Sequence, residues 1–184
     1  MKKFSLFLLS LCCSLAFADA SGIYLGGGVG YGSQDLSISG TSASFGTPAF
    51  RVVTGYQFAS WLDAEVGYTY ISQANNWNNL GSPSTTVYDL AFLPGFTLPI
   101  MPLTIYARLG VDGVSANLNS NLFNQMFSNL QGNFEWGAGL KLDIPGTKTF
   151  VRGEYINFGA VPNNNNDKIS VLPSVVMITA GYVF

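Results

Sequence analysis

The last ten residues constrain the fold more than any other stretch of this 184-residue chain. Val176, Ile178, Ala180, Tyr182 and Phe184 occupy alternate positions, and Met177, Thr179, Gly181 and Val183 lie between them. Side chains that alternate with a period of two belong to an extended strand whose faces meet different surroundings. Large apolar residues gather on one face here, and smaller or more polar ones on the other. Such a strand needs hydrogen-bonded neighbours, so the rest of the chain must supply a sheet.

The opposite end reads as a secretory leader. Lys2 and Lys3 give a positive start, and an apolar or small run follows from Phe4 to Phe17. Small residues then allow cleavage after Ala18 or Ala20. The run is about fifteen residues, shorter than the roughly 20 of a membrane-spanning helix. Residues 1–20 are therefore expected to be a signal peptide and residues 21–184 a single barrel domain. Leu11 before Cys12 does not fit a lipoprotein signal.

Composition then removes several kinds of chemistry. Both cysteines lie in the leader, so the exported part has no thiol for a disulfide or a metal. The chain has no histidine, which takes away the usual general base and zinc ligand. No metal or cofactor is expected. Only eight residues are Lys or Arg, against ten Asp or Glu, so no nucleic-acid partner is expected. Charged residues are 10% of the chain, compared with about 25% in soluble domains. Nevertheless, no apolar run after the leader reaches the length of a spanning helix.

Alternation resolves that tension. Eight segments of period two can be marked: Gly22–Ser33, Pro48–Ala59, Trp61–Ser72, Thr85–Leu98, Leu103–Ala116, Gly132–Ile144, Lys148–Phe158 and Val171–Phe184. Residues 59–60, Pro99 to Pro102, and Pro145-Gly146 read as tight turns. Residues 34–47, 73–84, 117–131 and 159–170 read as long polar loops, the last with a flexible tip at Asn163 to Asn166. Short turns on one side and long loops on the other suit a transmembrane barrel with periplasmic turns and extracellular loops. The fold class expected is all-β, an eight-stranded antiparallel up-and-down transmembrane β-barrel.

The two faces fix which way such a barrel is turned. Phe50, Val52, Leu62, Val66, Leu90, Phe92, Ile105, Leu109, Phe134, Trp136 and Leu140 share a face without any charge. The other face carries Arg51, Asp63, Glu65, Asp89, Arg108, Asp112, Glu135, Lys141, Asp143, Arg152 and Glu154, interspersed with glycines. A charge facing lipid at mid-depth costs about 2–4 kcal/mol, so the charged face turns inward. Glycine suits that crowded interior. A soluble lipocalin-like barrel would reverse the arrangement. Pro94 predicts a bulge or bend, and Pro173 the level at which the last strand leaves the membrane. Tyr56, Phe58, Tyr182 and Phe184 are placed in a lower aromatic girdle, and Tyr31, Tyr70, Trp136 and Trp77 in an upper one.

Gly55-Tyr56-Gln57-Phe58 followed by Leu62 to Tyr70, Tyr106 to Gly110, Arg152 to Tyr155, and Gly181-Tyr182-Val183-Phe184 together resemble the OmpA-like transmembrane β-barrel family. That resemblance implies an outer-membrane protein with interior salt bridges and exposed loops, both termini lying in the periplasm. It implies that Tyr182 and Phe184 form the signal read by the barrel-assembly machinery. The peptidoglycan-binding domain of OmpA itself is not matched, so no cell-wall tether is expected. The size is nearer the stand-alone OmpX and Ail kind.

Three sites come from these readings. Arg51, Arg108, Lys141 and Arg152 are expected to pair inside the barrel with Glu65, Glu135 and Glu154, as a structural plug in preference to a conduction path. Asp89 and Asp112 are read as rim carboxylates. A lipid-modifying enzyme is disfavoured by the missing histidine. In the third loop Leu122, Met126 and Leu130 stand four apart beside Phe123 and Phe127, which predicts a short helical stripe capped by Ser120. That stripe is expected to fold over the barrel mouth, in preference to lying on the lipopolysaccharide surface or meeting a partner. The partners expected are outer-membrane lipids, lipopolysaccharide and a host or surface ligand, with the protein itself a monomer. The role expected is structural and surface-interacting, with a narrow ion or solute channel as the alternative.

Overall fold

The first and last strands of this chain pair with each other, and that single ladder turns a sheet into a barrel. It runs antiparallel from Tyr24↔Val183 to Ile38↔Ile169. The computed structural model describes residues 22–38, 41–72, 83–119, 124–159, 161–163 and 166–184. The expected leader with its expected cleavage sites, and Trp77, Ser120, Leu122, Phe123, Asn164 and Asn165, lie outside the described residues. The strands are β1 (Gly22–Ile38), β2 (Thr41–Ala59), β3 (Leu62–Ile71), β4 (Pro83–Thr97), β5 (Leu103–Asn119), β6 (Asn124–Asp143), β7 (Thr149–Asn157), β8 (Val161–Asn163) and β9 (Asn166–Val183). Each pairs with the next up to β7, β7 pairs with β9, and β9 returns to β1. The short β8 pairs with β9 beyond the end of β7, so β7 and β8 share one stave and the wall has eight. No helix occurs among the described residues.

Closure satisfies the backbone, which is what allows strands into hydrocarbon at all. The side chains follow the alternation. Glu65 is 1% exposed and its neighbour Val66 is 54% exposed. Phe50, Leu90, Ile105, Phe134 and Ile178 stand out from the wall, while Arg51, Asp89, Arg108, Glu135 and Thr179 are buried inside it. The outward aromatics pair edge to face at Tyr56–Phe58, Trp136–Tyr155 and Tyr182–Phe184, with centroids 5.0, 5.8 and 5.3 Å apart.

Connections at one end are tight. Ser60 and Trp61 join β2 to β3, and residues 98–102 join β4 to β5. Between β6 and β7, Thr147 N–H bonds the Ile144 carbonyl at 3.1 Å around Pro145 and Gly146. Gly146 has φ +77°, so Pro145 and Gly146 take the two central positions of a type II turn.

The other end differs from the sequence reading. Residues 34–47 were expected to loop, yet β1 and β2 stay paired out to Ile38↔Thr41. Residues 117–131 were expected to hold a helical stripe, but Asn124 to Leu130 are strand, and β5 and β6 pair out to Asn119↔Asn124. Met126, Phe127 and Leu130 therefore sit on β6. The reason for the error is arithmetic: a spacing of four is a multiple of two, so residues four apart share a face in a strand as well as in a helix. At 20 residues β6 is about twice the roughly 9–11 a tilted strand needs to span a bilayer. Polar ribbons thus continue beyond the membrane.

Pro94 does not produce a bulge. The β4–β5 ladder passes from Phe92↔Leu109 to Gly95↔Tyr106 without change of register, leaving Leu93 and Pro94 out of it. Irregularities occur instead between Gln57 and Ala59, and between Asp112 and Val114.

Candidate functional site

The lumen is filled in layers, and glycines on β1 make the room. A methyl group on Gly30 would run into the Val176 carbonyl and lie 2.8 Å from Met177 Cα. One on Gly32 would lie 2.7 Å from the Ile71 side chain. With nothing projecting from β1 there, Ala49, Ile71, Val87, Val114, Ile156, Phe158, Val175 and Met177 pack into a dry layer toward the loop end. Above it the Thr85 hydroxyl donates to Gln34 Oε1 at 2.7 Å. Toward the turn end two smaller clusters form, Tyr24, Val53 and Phe150 in one, and Ala91, Leu93 and Tyr106 in the other.

Between these apolar layers lie the charges. Glu65 on β3 is the hub. Its Oε1 stands 2.6 Å from Arg108 Nη1 and 3.2 Å from Arg51 Nη2. Its Oε2 stands 2.7 Å from Arg152 Nη2 and accepts the Tyr24 hydroxyl at 3.0 Å. Arg51 holds both oxygens of Asp89, at 2.8 and 2.7 Å, and also donates to the Thr69 hydroxyl. Arg108 bonds Asp89 through Nη2 and Glu135 Oε1 through Nε, the latter at 3.0 Å. Arg152 Nη2 is 3.3 Å from Glu154 Oε1, whose partner oxygen accepts the Tyr106 hydroxyl at 3.2 Å. The Arg152 guanidinium also lies over the Tyr106 and Phe150 rings, 5.8 and 5.9 Å from their centroids. Ions so fully desolvated persist only when paired and hydrogen-bonded; every ion of this layer is paired, while Arg51 Nε, Arg152 Nε, Glu135 Oε2 and Glu154 Oε1 make no hydrogen bond.

Two placements correct the sequence reading. Lys141 does not join the glutamates; its Nζ lies 3.7 Å from both Asp63 and Asp143 at the turn-end mouth, and 5.3 Å from the Phe150 centroid. Asp89 is no rim carboxylate; it lies in the central layer with Arg51 and Arg108. The cause is register. Asp89 stands opposite Gly67, and a Cβ there would lie 2.6 Å from both Asp89 oxygens. The missing side chain opens the path from Asp89 to Arg51. Tyr24 and Tyr106 were also not singled out, although their inward parity was visible. Asp112 does stand nearer the loop end, where its Oδ2 accepts the Gly159 N–H at 2.8 Å and its Oδ1 the Asn133 amide at 3.2 Å.

A cavity at the turn-end mouth, lined by Trp61, Asp63, Tyr106, Lys141 and Arg152 among others, has a volume of about 10 Å³. That is room for about one water molecule. Glu65, Asp89, Glu135 and Glu154 each face at least one guanidinium group.

The family model described as outer membrane protein beta-barrel domain matches residues 4–184. Among solved structures, neisserial surface protein A is similar over 91% of this chain and 100% of its own, with 17% identity and a TM-score of 0.62. Ail of Yersinia pestis is similar over 90% and 100%, with 18% identity and a TM-score of 0.57. OprG of Pseudomonas aeruginosa is similar over 89% and 96%, with 12% identity and a TM-score of 0.55. At such identities the likeness is one of fold. No curated protein matches the chain.

Proposed function

The chain belongs to the outer membrane protein beta-barrel domain family, and from that premise we propose that it is a closed outer-membrane anchor that acts at the cell surface through its loop-end ribbons. The single observation that carries this reading is the stacked filling of the lumen. An ionic layer between apolar layers argues against a continuous water path, which favours contact with other molecules from the outside. The tight turns are assigned to the periplasm with both termini, and the paired extensions of β1–β2 and β5–β6 to the exterior.

The chemistry of the outer end narrows the kind of contact. Residues 34–47, 73–84, 117–131 and 159–170 carry Asp35, Asp167 and Lys168 as their only charges and are rich in Asn and Ser. Ail of Yersinia pestis has been solved with the heparin analogue sucrose octasulfate. A sulfated ligand of that kind would find one lysine here, so contacts through amides, hydroxyls and apolar side chains fit better. Leu122, Phe123, Met126, Phe127 and Leu130 remain the proposed apolar contact residues, now as part of a segment that ends in a strand. No catalytic role is assigned.

Two measurements test this. Planar-bilayer recordings of the purified barrel are expected to show no steady conductance; a steady channel altered by Arg108→Ala or Glu65→Ala would replace the anchor reading with conduction. Deletion of residues 117–131 is expected to abolish whole-cell binding to surfaces while the barrel still assembles. Unchanged binding would remove the third ribbon from the proposal.

A further inference from the structure

The central layer of the lumen contains one carboxyl too many. Arg51, Arg108 and Arg152 face Glu65, Asp89, Glu135 and Glu154, and every one of these side chains is 1% exposed or less. Lys141 does not make up the difference, because it is held between Asp63 and Asp143. Three buried cations thus oppose four acids of this layer, Asp112 lying nearer the loop end on the Gly159 N–H and the Asn133 amide.

The ion-pair contacts identify the odd one. Glu65 is approached by three guanidinium groups and a phenol, and Asp89 by two guanidinium groups. Glu154 Oε1 lacks a hydrogen-bond partner, but it has Arg152 Nη2 at 3.3 Å, and its Oε2 has the Tyr106 hydroxyl and, at 3.8 Å, Arg108. Glu135 has a single donor, Arg108 Nε on its Oε1, and its Oε2 is buried without a hydrogen-bond partner. Around it stand Arg108 and Asp112 from β5, Asp89 from β4 and Arg51 from β2. Glu65 on β3 and Glu154 on β7 draw on the same Arg108. The inward residues of β1 and β9 at this level, Gly28, Gly30, Met177 and Thr179, bring no charge. An ion buried without adequate pairing is neutralised in preference to being kept.

We propose that Glu135 is a proton-binding site of the lumen, carrying one proton on Oε2 at neutral pH so that the central layer is electrically balanced. The proton restores three against three. Its loss at alkaline pH leaves an uncompensated charge directly beside the irregularity between Asp112 and Val114, where the wall passes into the β5–β6 ribbon. A group that keeps its proton longer when folded than when unfolded contributes stability that falls as pH rises. Glutamine at this position imitates the protonated acid, with an oxygen for Arg108 and N–H groups where the proton sits.

Infrared spectra of the full-length protein in phosphatidylcholine vesicles at neutral pH read the site directly. The wild type is expected to show the C=O stretch of a protonated carboxyl, lost in Glu135→Gln and retained in Glu154→Gln. The wild-type thermal midpoint is expected to fall as pH is raised, and the slope to flatten in Glu135→Gln. Absence of the band from the wild type, or its survival in Glu135→Gln, overturns the assignment. So does failure of Glu135→Gln to assemble where the wild type assembles.

Discussion

Arg108 Nη1 meets Glu65 Oε1 at 2.6 Å across the lumen, although the two residues are 43 positions apart in the chain. Neither side chain has an exposed atom to give to water. Each therefore depends on the other, and on the closed wall that brings β3 and β5 within reach.

Removing one of them should be severe. Glu65→Ala takes a shared partner from three guanidinium groups at once, and breaking a buried pair typically costs about 3–5 kcal/mol. Urea unfolding in lipid vesicles is the measurement. The double variant Glu65→Ala/Arg108→Ala is expected to lose clearly less than the sum of the single losses, because both report on one network. Additive losses would show that the pair is not coupled.

Glycines that look alike in the sequence should behave differently. Gly30→Ala places a methyl against the backbone of β9 and is expected to cost about 1–3 kcal/mol or to impair closure. At Gly153 nothing lies within 4 Å of the added carbon, and Gly153→Ala is expected to stay within about 0.5 kcal/mol. Heat-induced loss of the compact electrophoretic form compares the two.

Lipid contact has its own signature. Val66 is 54% exposed on β3, midway along the spanning part, so Val66→Arg is expected to cost about 2–4 kcal/mol in vesicles. In the same assay Val66→Leu should be near neutral. A tolerated arginine would mean that this face does not meet hydrocarbon.

Phe184 separates assembly from stability. Its N–H bonds the Ile23 carbonyl at 2.9 Å and its ring, 65% exposed, rests on Tyr182. Phe184→Ala keeps the backbone bond and removes only an outward ring. Refolding in vitro should change little, whereas the amount of barrel in the cellular outer membrane should drop if Tyr182 and Phe184 are read by the assembly machinery. Equal losses in both would assign the ring to packing alone.

Much of the fold could be read before any coordinates. The alternation Glu65-Val66-Gly67-Tyr68 states which side chain goes to lipid and which to the interior, because a strand has only two faces and charge tolerates only one of them. Pro145-Gly146 likewise declares its turn through local geometry. The ends of the strands were not read where Ser37 and Ser42 continue the β1–β2 ladder, because the Ser, Gly and Thr of residues 37–42 masked the short alternations Leu36-Ser37-Ile38 and Ala43-Ser44-Phe45.

By itself the sequence determined the eight spanning staves, their inside and outside, and the inventory of buried charges, all consequences of a period of two and the cost of ions in hydrocarbon. The tertiary structure alone decided the partners. Asp89 reaches Arg51 because register sets it against Gly67, Lys141 is drawn away to Asp63, and Glu135 is left with one donor. Distances across a closed lumen depend on how every strand slides against the next, and no local run of residues carries that information.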